Sequence, residues 1–219
     1  NFMYQKDKLR AQLGAAVVPT ITHNETNGQD YNSTVVNWSP SAMIWYDIND
    51  NTNLRGFYFG NSAQPATSQL MPVPDNSNPL SVSLGNPYLK PYFRHDIRTR
   101  LGHSDRTKFL SFSGSLEGGL VQSPIVHASW YNDGGTQFSL PVNGPTSGNA
   151  ALRTFFNAPI AKSNFSISNM LSGSWYTSSS YVGKSSFNTD KYYDGTNFDY
   201  ELFHQDFPDL GESEYFTEN

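Results

Sequence analysis

A strict two-residue alternation over residues 110–120 limits most strongly what this chain can fold into. A period of two is typical of a β-strand, because successive side chains point to opposite faces of a sheet. One side of the pattern is apolar or small and the other is polar: Leu110, Phe112, Gly114, Leu116, Gly118 and Leu120 against Ser111, Ser113, Ser115 and Glu117. We expect one strand over residues 108–131, which is long for a soluble protein.

The same alternation recurs along the chain and predicts about seven long strands. They are expected at residues 8–18, 36–48, 54–61, 93–101, 108–131, 136–159 and 165–181. Short turns are expected at 47–53, 102–107 and 161–164, and Asn132-Asp133-Gly134-Gly135 between the fifth and sixth strands is a hairpin signal. Long connections are expected at 19–32 and 62–92. In all, about three short turns alternate with about four long connections, which predicts that the two ends of an up-and-down antiparallel sheet differ.

Composition excludes several classes of protein. Only 15% of residues are charged and the net charge is -5, so a basic footprint for nucleic acid is missing. No run approaches the roughly 20 apolar residues of a membrane helix. Strands of a membrane barrel need only about 9 to 11 residues, and their short turns lie at one end. The sequence therefore predicts an all-β, up-and-down antiparallel transmembrane β-barrel. Because an odd number of strands cannot close such a barrel, we expect a fragment.

A proline-rich stretch before the fourth predicted strand carries a recognisable motif, Gly85-Asn86-Pro87-Tyr88-Leu89-Lys90-Pro91. It resembles the Gly-Asn-Pro-x-Leu-Lys-Pro-Glu motif of TonB-dependent outer-membrane receptors, particularly the barrel-only family grouped as outer membrane protein beta-barrel. The motif residues that match are Gly85, Asn86, Pro87, Leu89, Lys90 and Pro91, whereas Tyr92 replaces the final glutamate. The resemblance covers roughly residues 8–184, and its prolines would keep a long loop ordered.

The resemblance implies a part of a barrel of about 22 strands with a plugged lumen in the bacterial outer membrane. Such a receptor takes up a scarce nutrient, a siderophore, cofactor, glycan or peptide, and catalyses no reaction. Its implied partners are outer-membrane lipid and the TonB system, reached through a plug domain outside this chain; a surface lipoprotein lid is a further candidate. No cofactor is implied. The alternative is a secreted or cell-surface soluble β protein that binds carbohydrate through exposed aromatic residues.

Charged residues of the predicted strands share one expected orientation. They would face the lumen or the plug, where they could line a transport path, grip the plug or merely hydrate the wall. This set contains Arg10, Arg94, Asp96, Arg98, Arg100 and Arg153.

The last part of the chain, residues 185–219, is rich in acidic and aromatic residues. We expect residues 1–184 to form the barrel with its outer loops and 185–219 to form an extracellular loop. The candidates for stacking on a substrate are Tyr192, Tyr193, Phe198 and Tyr200, together with Trp130 and Tyr131. No histidine spacing or EF-hand pattern predicts a metal site, and no nucleophile elbow predicts a catalytic residue.

Aromatic residues near the predicted strand ends are Trp38, Trp45, Tyr46, Trp130, Tyr131, Trp175 and Tyr176. They fit the interfacial girdles of a membrane barrel. Ordinary β propensity is the alternative explanation.

Overall fold

The structure, a computed structural model, describes residues 1–26, 29–160 and 164–219, without the side chains of 22–34. It is all-β, with 62% strand and 8% helix. The strands are β1 (Phe2–Lys6), β2 (Leu9–Thr26), β3 (Gln29–Asn49), β4 (Thr52–Ala63), β5 (Asp75–Asn78), β6 (Ser81–Ser83), β7 (Tyr92–Asp105), β8 (Leu110–Gln122), β9 (Ile125–Tyr131), β10 (Gln137–Asn143), β11 (Ser147–Pro159), β12 (Ser166–Tyr176), β13 (Tyr181–Gly183) and β14 (Phe216–Glu218). The helices are α1 (Thr67–Leu70) and α2 (Tyr200–Asp206), and Thr189–Lys191 and Leu210–Glu212 form 3-10 turns.

An eight-stranded sheet, which we call the wall, has the order β1-β2-β3-β4-β7-β8-β11-β12. All neighbours in it pair antiparallel, which confirms the predicted antiparallel arrangement. Its strand count exceeds the predicted number because β1 is too short to show a clear alternation. Within the part of the chain that the structure describes, β1 and β12 are open edges, so the sheet does not close into a barrel.

Two of the predicted strands, 108–131 and 136–159, are each broken in the middle. β8 ends at Gln122 and β9 begins at Ile125, with Ser123 at φ 51° and Pro124 between them. The left-handed φ of Ser123 turns the backbone out of the strand, and Pro124 has no N–H to donate to the ladder, so pairing stops there. The second break lies between β10 and β11. The Gly144 N–H in it donates to the Pro124 carbonyl at 2.7 Å, so the two breaks are adjacent. β9 and β10 thereby leave the wall.

The predicted hairpin turn at 132–135 is present between β9 and β10. The Gly135 N–H donates to the Asn132 carbonyl at 2.9 Å, and Gly135 has φ 79°. Glycine adopts this left-handed conformation without steric penalty. The sequence therefore located this turn correctly, although the strands on either side belong to a different sheet from the one expected.

The second sheet has six strands in the order β14-β13-β9-β10-β6-β5. Together with its loops and helices, residues 64–91, 123–146 and 177–219, it forms what we call the cap. These three segments leave the wall at one end, because Ala63 pairs with Tyr92, Phe93 with Gln122, and Asn149 with Tyr176. The predicted long connection at 62–92 thus contains secondary structure of its own.

The predicted long loop at 19–32 is wrong for the residues that the structure describes. β2 continues to Thr26 and β3 starts at Gln29, with unbroken register from Leu9↔Tyr46 to Thr26↔Gln29. A local hairpin satisfies the backbone groups of both strands without an apolar face, so a polar sequence is no obstacle to it. The predicted turn at 161–164 falls largely on residues 161–163, which lie outside the described residues.

The buried apolar core lies in the cap. It contains Val82, Leu84, Ala128, Trp130, Phe138, Leu140, Val142, Tyr181, Phe187, Tyr192, Phe198, Phe203, Leu210 and Phe216. In the wall, by contrast, large apolar side chains are exposed: Leu13 by 57%, Leu116 by 48% and Leu152 by 48%. The wall therefore needs an apolar environment that these residues themselves do not provide. No helix among the described residues is long and apolar enough to cross a membrane.

Candidate functional site

The strand register gives the wall one ionic and one apolar face. Residues directly opposite each other on neighbouring strands point to the same side of a sheet. By this rule all six charged residues expected to face a lumen share one face: Arg10, Arg94, Asp96, Arg98, Arg100 and Arg153. Arg55, Glu117 and Asp47 join them. Arg55 was missed in the sequence, although the two-residue alternation of strand 54–61 places it on the face opposite Gly56 and Gly60.

The opposite face of the wall carries the apolar half of each alternation. Leu13, Ile44, Ile97, Leu116 and Leu152 lie on it, all exposed. Trp38, Tyr46 and Trp175 of the expected aromatic girdle also lie on this face, whereas Trp45 and Tyr176 lie on the ionic face. Trp38 packs against Phe93, with ring centroids 4.8 Å apart.

Among the residues that the structure describes, two ion pairs connect charges of the ionic face. Arg94 Nε lies 2.9 Å from Asp96 Oδ2, and Arg153 Nη1 lies 3.6 Å from Glu117 Oε1. Among the described residues, Arg10, Arg55, Arg98 and Arg100 have no carboxylate within 4.0 Å. The ionic face thus has an excess of unpaired positive charge, although the whole chain is acidic.

A groove of about 560 Å³ runs along the ionic face. Arg98, Arg100 and Arg153 line it together with Glu117, the ion-pair partner of Arg153, and with apolar side chains. The apolar part of the lining consists of Phe57, Phe59, Phe155 and Met170. The groove therefore offers guanidinium donors beside apolar surface, a combination that suits an amphiphilic or anionic group.

In the cap, Trp130 forms the centre of an aromatic core. Its side chain is 1% exposed, and its Nε1 donates to Thr189 Oγ1 at 3.1 Å. Its indole packs against the rings of Phe138, Phe187, Phe198, Phe203 and Phe216 at centroid distances of 5.3–6.4 Å. The tail after β12 is thus packed onto the β9–β10 hairpin.

This packing changes the interpretation of the six aromatic residues predicted to stack on a substrate. Trp130, Tyr192 and Phe198 are buried, with 1%, 6% and 5% exposure, so their rings belong to the core and offer no surface to a ligand. Tyr193 and Tyr200 are half-buried, and Tyr131 is 62% exposed. The sequence could not distinguish these roles, because the partners of the tail aromatics lie in other segments.

A polar cluster closes one side of the cap core. Asp206 Oδ2 accepts from Lys191 Nζ at 2.6 Å and from the Tyr192 hydroxyl at 2.7 Å. These two hydrogen bonds lower the pKa of Asp206. Burial, followed by the hydrogen bond to Asp206, raises the pKa of Tyr192 from 10.0 to about 12. The folded cap therefore favours the neutral Tyr192 phenol.

This shift predicts how the cap responds to alkaline pH. Because the pKa of Tyr192 is higher in the folded than in the unfolded protein, the neutral phenol stabilises the fold below the unfolded pKa. This contribution is lost as the pH rises from about 10 to about 12. Tyr192→Phe should therefore flatten the loss of cap stability over this range, measured by denaturant unfolding at stepped pH. Tyr131→Phe, on an exposed ring, is the control and should leave the profile unchanged. An identical alkaline loss in Tyr192→Phe would contradict the assignment.

The Gly85–Pro91 motif is hydrogen-bonded to β10 within the cap, directly before β7 of the wall begins at Tyr92. Asn86 Nδ2 donates to the Pro141 carbonyl at 2.9 Å, and its Oδ1 accepts from the Tyr88 N–H at 2.9 Å. The Lys90 N–H donates to Asn143 Oδ1 at 2.8 Å, and Asn143 Nδ2 donates to the Lys90 carbonyl at 3.0 Å. The motif thus packs on β10, and Leu89 is buried. These hydrogen bonds fix the motif onto β10.

Gly85 is needed because the backbone passes close to another segment. A Cβ at Gly85 would lie 1.8 Å from the Met71 carbonyl oxygen. Gly85→Ala should therefore destabilise the cap by about 1–3 kcal/mol, the usual cost of forced overpacking. Gly173→Ala is the matched control, because nothing lies within 4 Å of its Cβ position. Denaturant unfolding of both variants checks the prediction, and equal midpoints would contradict it.

A crevice of about 420 Å³ lies between the motif and α2. Tyr88 and His204 stack across it with centroids 4.1 Å apart and planes 11° apart. Burial raises the pKa of Tyr200 to about 12, and the nearby Gly85 N–H offsets a little of this without reaching hydrogen-bond geometry. The motif and the tail are therefore packed together. The described residues contain no group of three or more side chains that could hold a metal ion.

A family model described as outer membrane protein beta-barrel family matches residues 1–207 of this chain. The chain belongs to the outer membrane protein beta-barrel family. Membership places the protein in the bacterial outer membrane. A search of curated proteins returns no match. For a member of this family, an antiparallel sheet with one ionic and one exposed apolar face is the expected wall geometry.

Proposed function

We propose that this chain forms part of the barrel of a TonB-dependent receptor that takes up a scarce nutrient and catalyses no reaction. The observation that carries the proposal is the two-faced antiparallel wall with its elaborate connections confined to one end. In outer-membrane barrels the short turns are periplasmic and the long loops are extracellular. The cap would then lie outside the cell, and residues beyond this chain would complete a barrel of about 22 strands.

The proposed orientation assigns a partner to each surface of the wall. The apolar face, with Leu116 and Leu152, would contact lipid. The ionic face, with Arg98 and Arg100, would line the lumen beside a plug domain supplied from outside this chain, and TonB would act through that plug. The exposed cap is the surface on which a lipoprotein lid could dock. The transported nutrient would be a siderophore, cofactor, glycan or peptide.

The rival function, a soluble β protein that binds carbohydrate, conflicts with the exposed apolar face. Such a face on a water-soluble protein would promote aggregation. Carbonate washing of membranes, followed by size-exclusion chromatography of this chain, separates the two functions. We expect the chain to remain with the membrane and to need detergent in solution. A monodisperse monomer without detergent would support the soluble protein instead.

Energy coupling tests the receptor function directly. Strains lacking the intact receptor, lacking TonB, or lacking both should be compared on siderophores, cofactors, glycans and peptides supplied as limiting nutrients. We expect both single deletions to abolish growth on the same nutrient, with no further loss in the double deletion. Growth on that nutrient that needs the receptor but persists without TonB would contradict the proposal.

A further inference from the structure

One cross-strand row of the ionic face is exceptionally rich in arginine. The row contains one residue from each strand of the wall, each directly opposite the next: Gln5, Arg10, Trp45, Arg55, Arg100, Ser115, Arg153 and Ser172. Four of these eight residues are arginine and none is acidic. We call these eight residues the arginine row.

The arginine row is electrostatically unfavourable for the fold alone. Arg55 and Arg100 are directly opposite each other on β4 and β7, and like charges in that position destabilise a sheet. In the described part of the chain, no carboxylate lies within 4.0 Å of Arg10, Arg55 or Arg100. A wall that needed only hydration would be better served by alternating signs. Asp7 and Asp47 line a pocket with Arg10 and Arg55, and lumen water hydrates the arginines, but the row keeps an excess of positive charge that an external anion would neutralise.

The surroundings of the row limit what can supply that counter-charge. The whole chain has a net charge of -5 and its tail is acidic, so the row is not part of a generally basic surface. The flanking rows add Arg98, Phe57 and Phe155 to the groove of about 560 Å³, together with Glu117, which is paired with Arg153. Guanidinium groups form paired hydrogen bonds with carboxylates and phosphates, and arginine-lined pores favour anions.

We propose that the arginine row is a binding path for a solute carrying several carboxylate or phosphate groups. Barrel strands are tilted by about 35–45°, so a row perpendicular to the strands rises obliquely along the lumen. An anionic group could pass from Arg153 to Arg100, Arg55 and Arg10, always within reach of a guanidinium. The inference rests on the proposed uptake function and narrows its substrate class to anions.

Binding of inorganic tripolyphosphate to the intact detergent-purified protein tests this inference. We expect saturable binding by titration calorimetry that weakens with added salt. The double substitution Arg55→Gln and Arg100→Gln should weaken it about tenfold, since each exposed charge contact is worth a few-fold. Arg94→Gln is the matched control, because Arg94 lies on the same strand and face but is paired with Asp96. It should bind tripolyphosphate within about twofold of the parent.

Three outcomes would overturn the inference. They are no binding by the parent protein, equal weakening by Arg94→Gln, and a lowered unfolding temperature of the double variant, which would show that the arginines stabilise the fold. The double variant should unfold at the same or a higher temperature, because it removes like-charge repulsion. Binding measured by calorimetry needs no energy source. A failure to bind tripolyphosphate would therefore say nothing about TonB dependence, and growth without TonB would say nothing about anion binding.

Discussion

Replacing Trp130 with alanine should unfold the cap and leave the wall in place. The indole is fully buried, packs against five phenylalanine rings and donates a hydrogen bond to Thr189. Removing such a side chain costs about 3–5 kcal/mol through lost burial and the cavity left behind. A domain of this size is stabilised by only about 5–15 kcal/mol in total. The expected loss is therefore a large part of the stability of the cap.

Hydrogen exchange and limited proteolysis of residues 177–219 measure this effect. In Trp130→Ala the amides of β13, β14 and α2 should exchange faster, whereas those of β7 and β8 should not. Tyr131→Ala is the matched control, since this neighbouring ring is 62% exposed and its loss should change stability by less than about 0.5 kcal/mol. Unchanged exchange in Trp130→Ala, or equal effects of both variants, would refute the proposed core.

An arginine at Leu116 should block stable insertion of the wall into the membrane. Leu116 lies on the apolar face of β8 and is 48% exposed. A lipid-facing arginine near the middle of a bilayer costs about 2–4 kcal/mol in a barrel. Ser113→Arg, three residues away on the opposite face, should cost little because a water-filled lumen solvates the charge.

Folding of these two variants into lipid vesicles can be compared by heat-modifiable gel mobility and urea titration. We expect Leu116→Arg to lose folded fraction at urea concentrations where Ser113→Arg is still folded. Equal midpoints would mean that the two faces of β8 meet similar environments, which would contradict the assignment of one face to lipid.

The sequence predicted the wall well because period-two alternation is a local signal. The serines of β8 and the arginines of β7 lie on one face, as expected from their spacing alone. The breaks at Pro124 and Gly144 were missed, because residues on both sides of them keep strand character. The hairpin extension of β2 and β3 was also missed, because its backbone groups pair across the register and need no apolar face.

The cap could not be predicted because its contacts join distant segments. Trp130 meets Thr189 across 59 residues, and Asn86 meets Pro141 across 55. A single sequence does not show which aromatic residues of the tail face inward, so buried Tyr192 and Phe198 looked like candidates for ligand contact. The arginine row escaped for the same reason. It becomes visible only when the register aligns Arg10, Arg55, Arg100 and Arg153.

Accessibility of single spin labels along β8 tests the central claim, that the wall separates lipid from water. The chain has no cysteine, so Phe112→Cys, Ser113→Cys, Leu116→Cys and Glu117→Cys each give one labelling site. In vesicles, the account predicts that labels at 112 and 116 collide mainly with oxygen, and labels at 113 and 117 mainly with a water-soluble nickel complex. Equal exposure of all four labels to the nickel complex would contradict it.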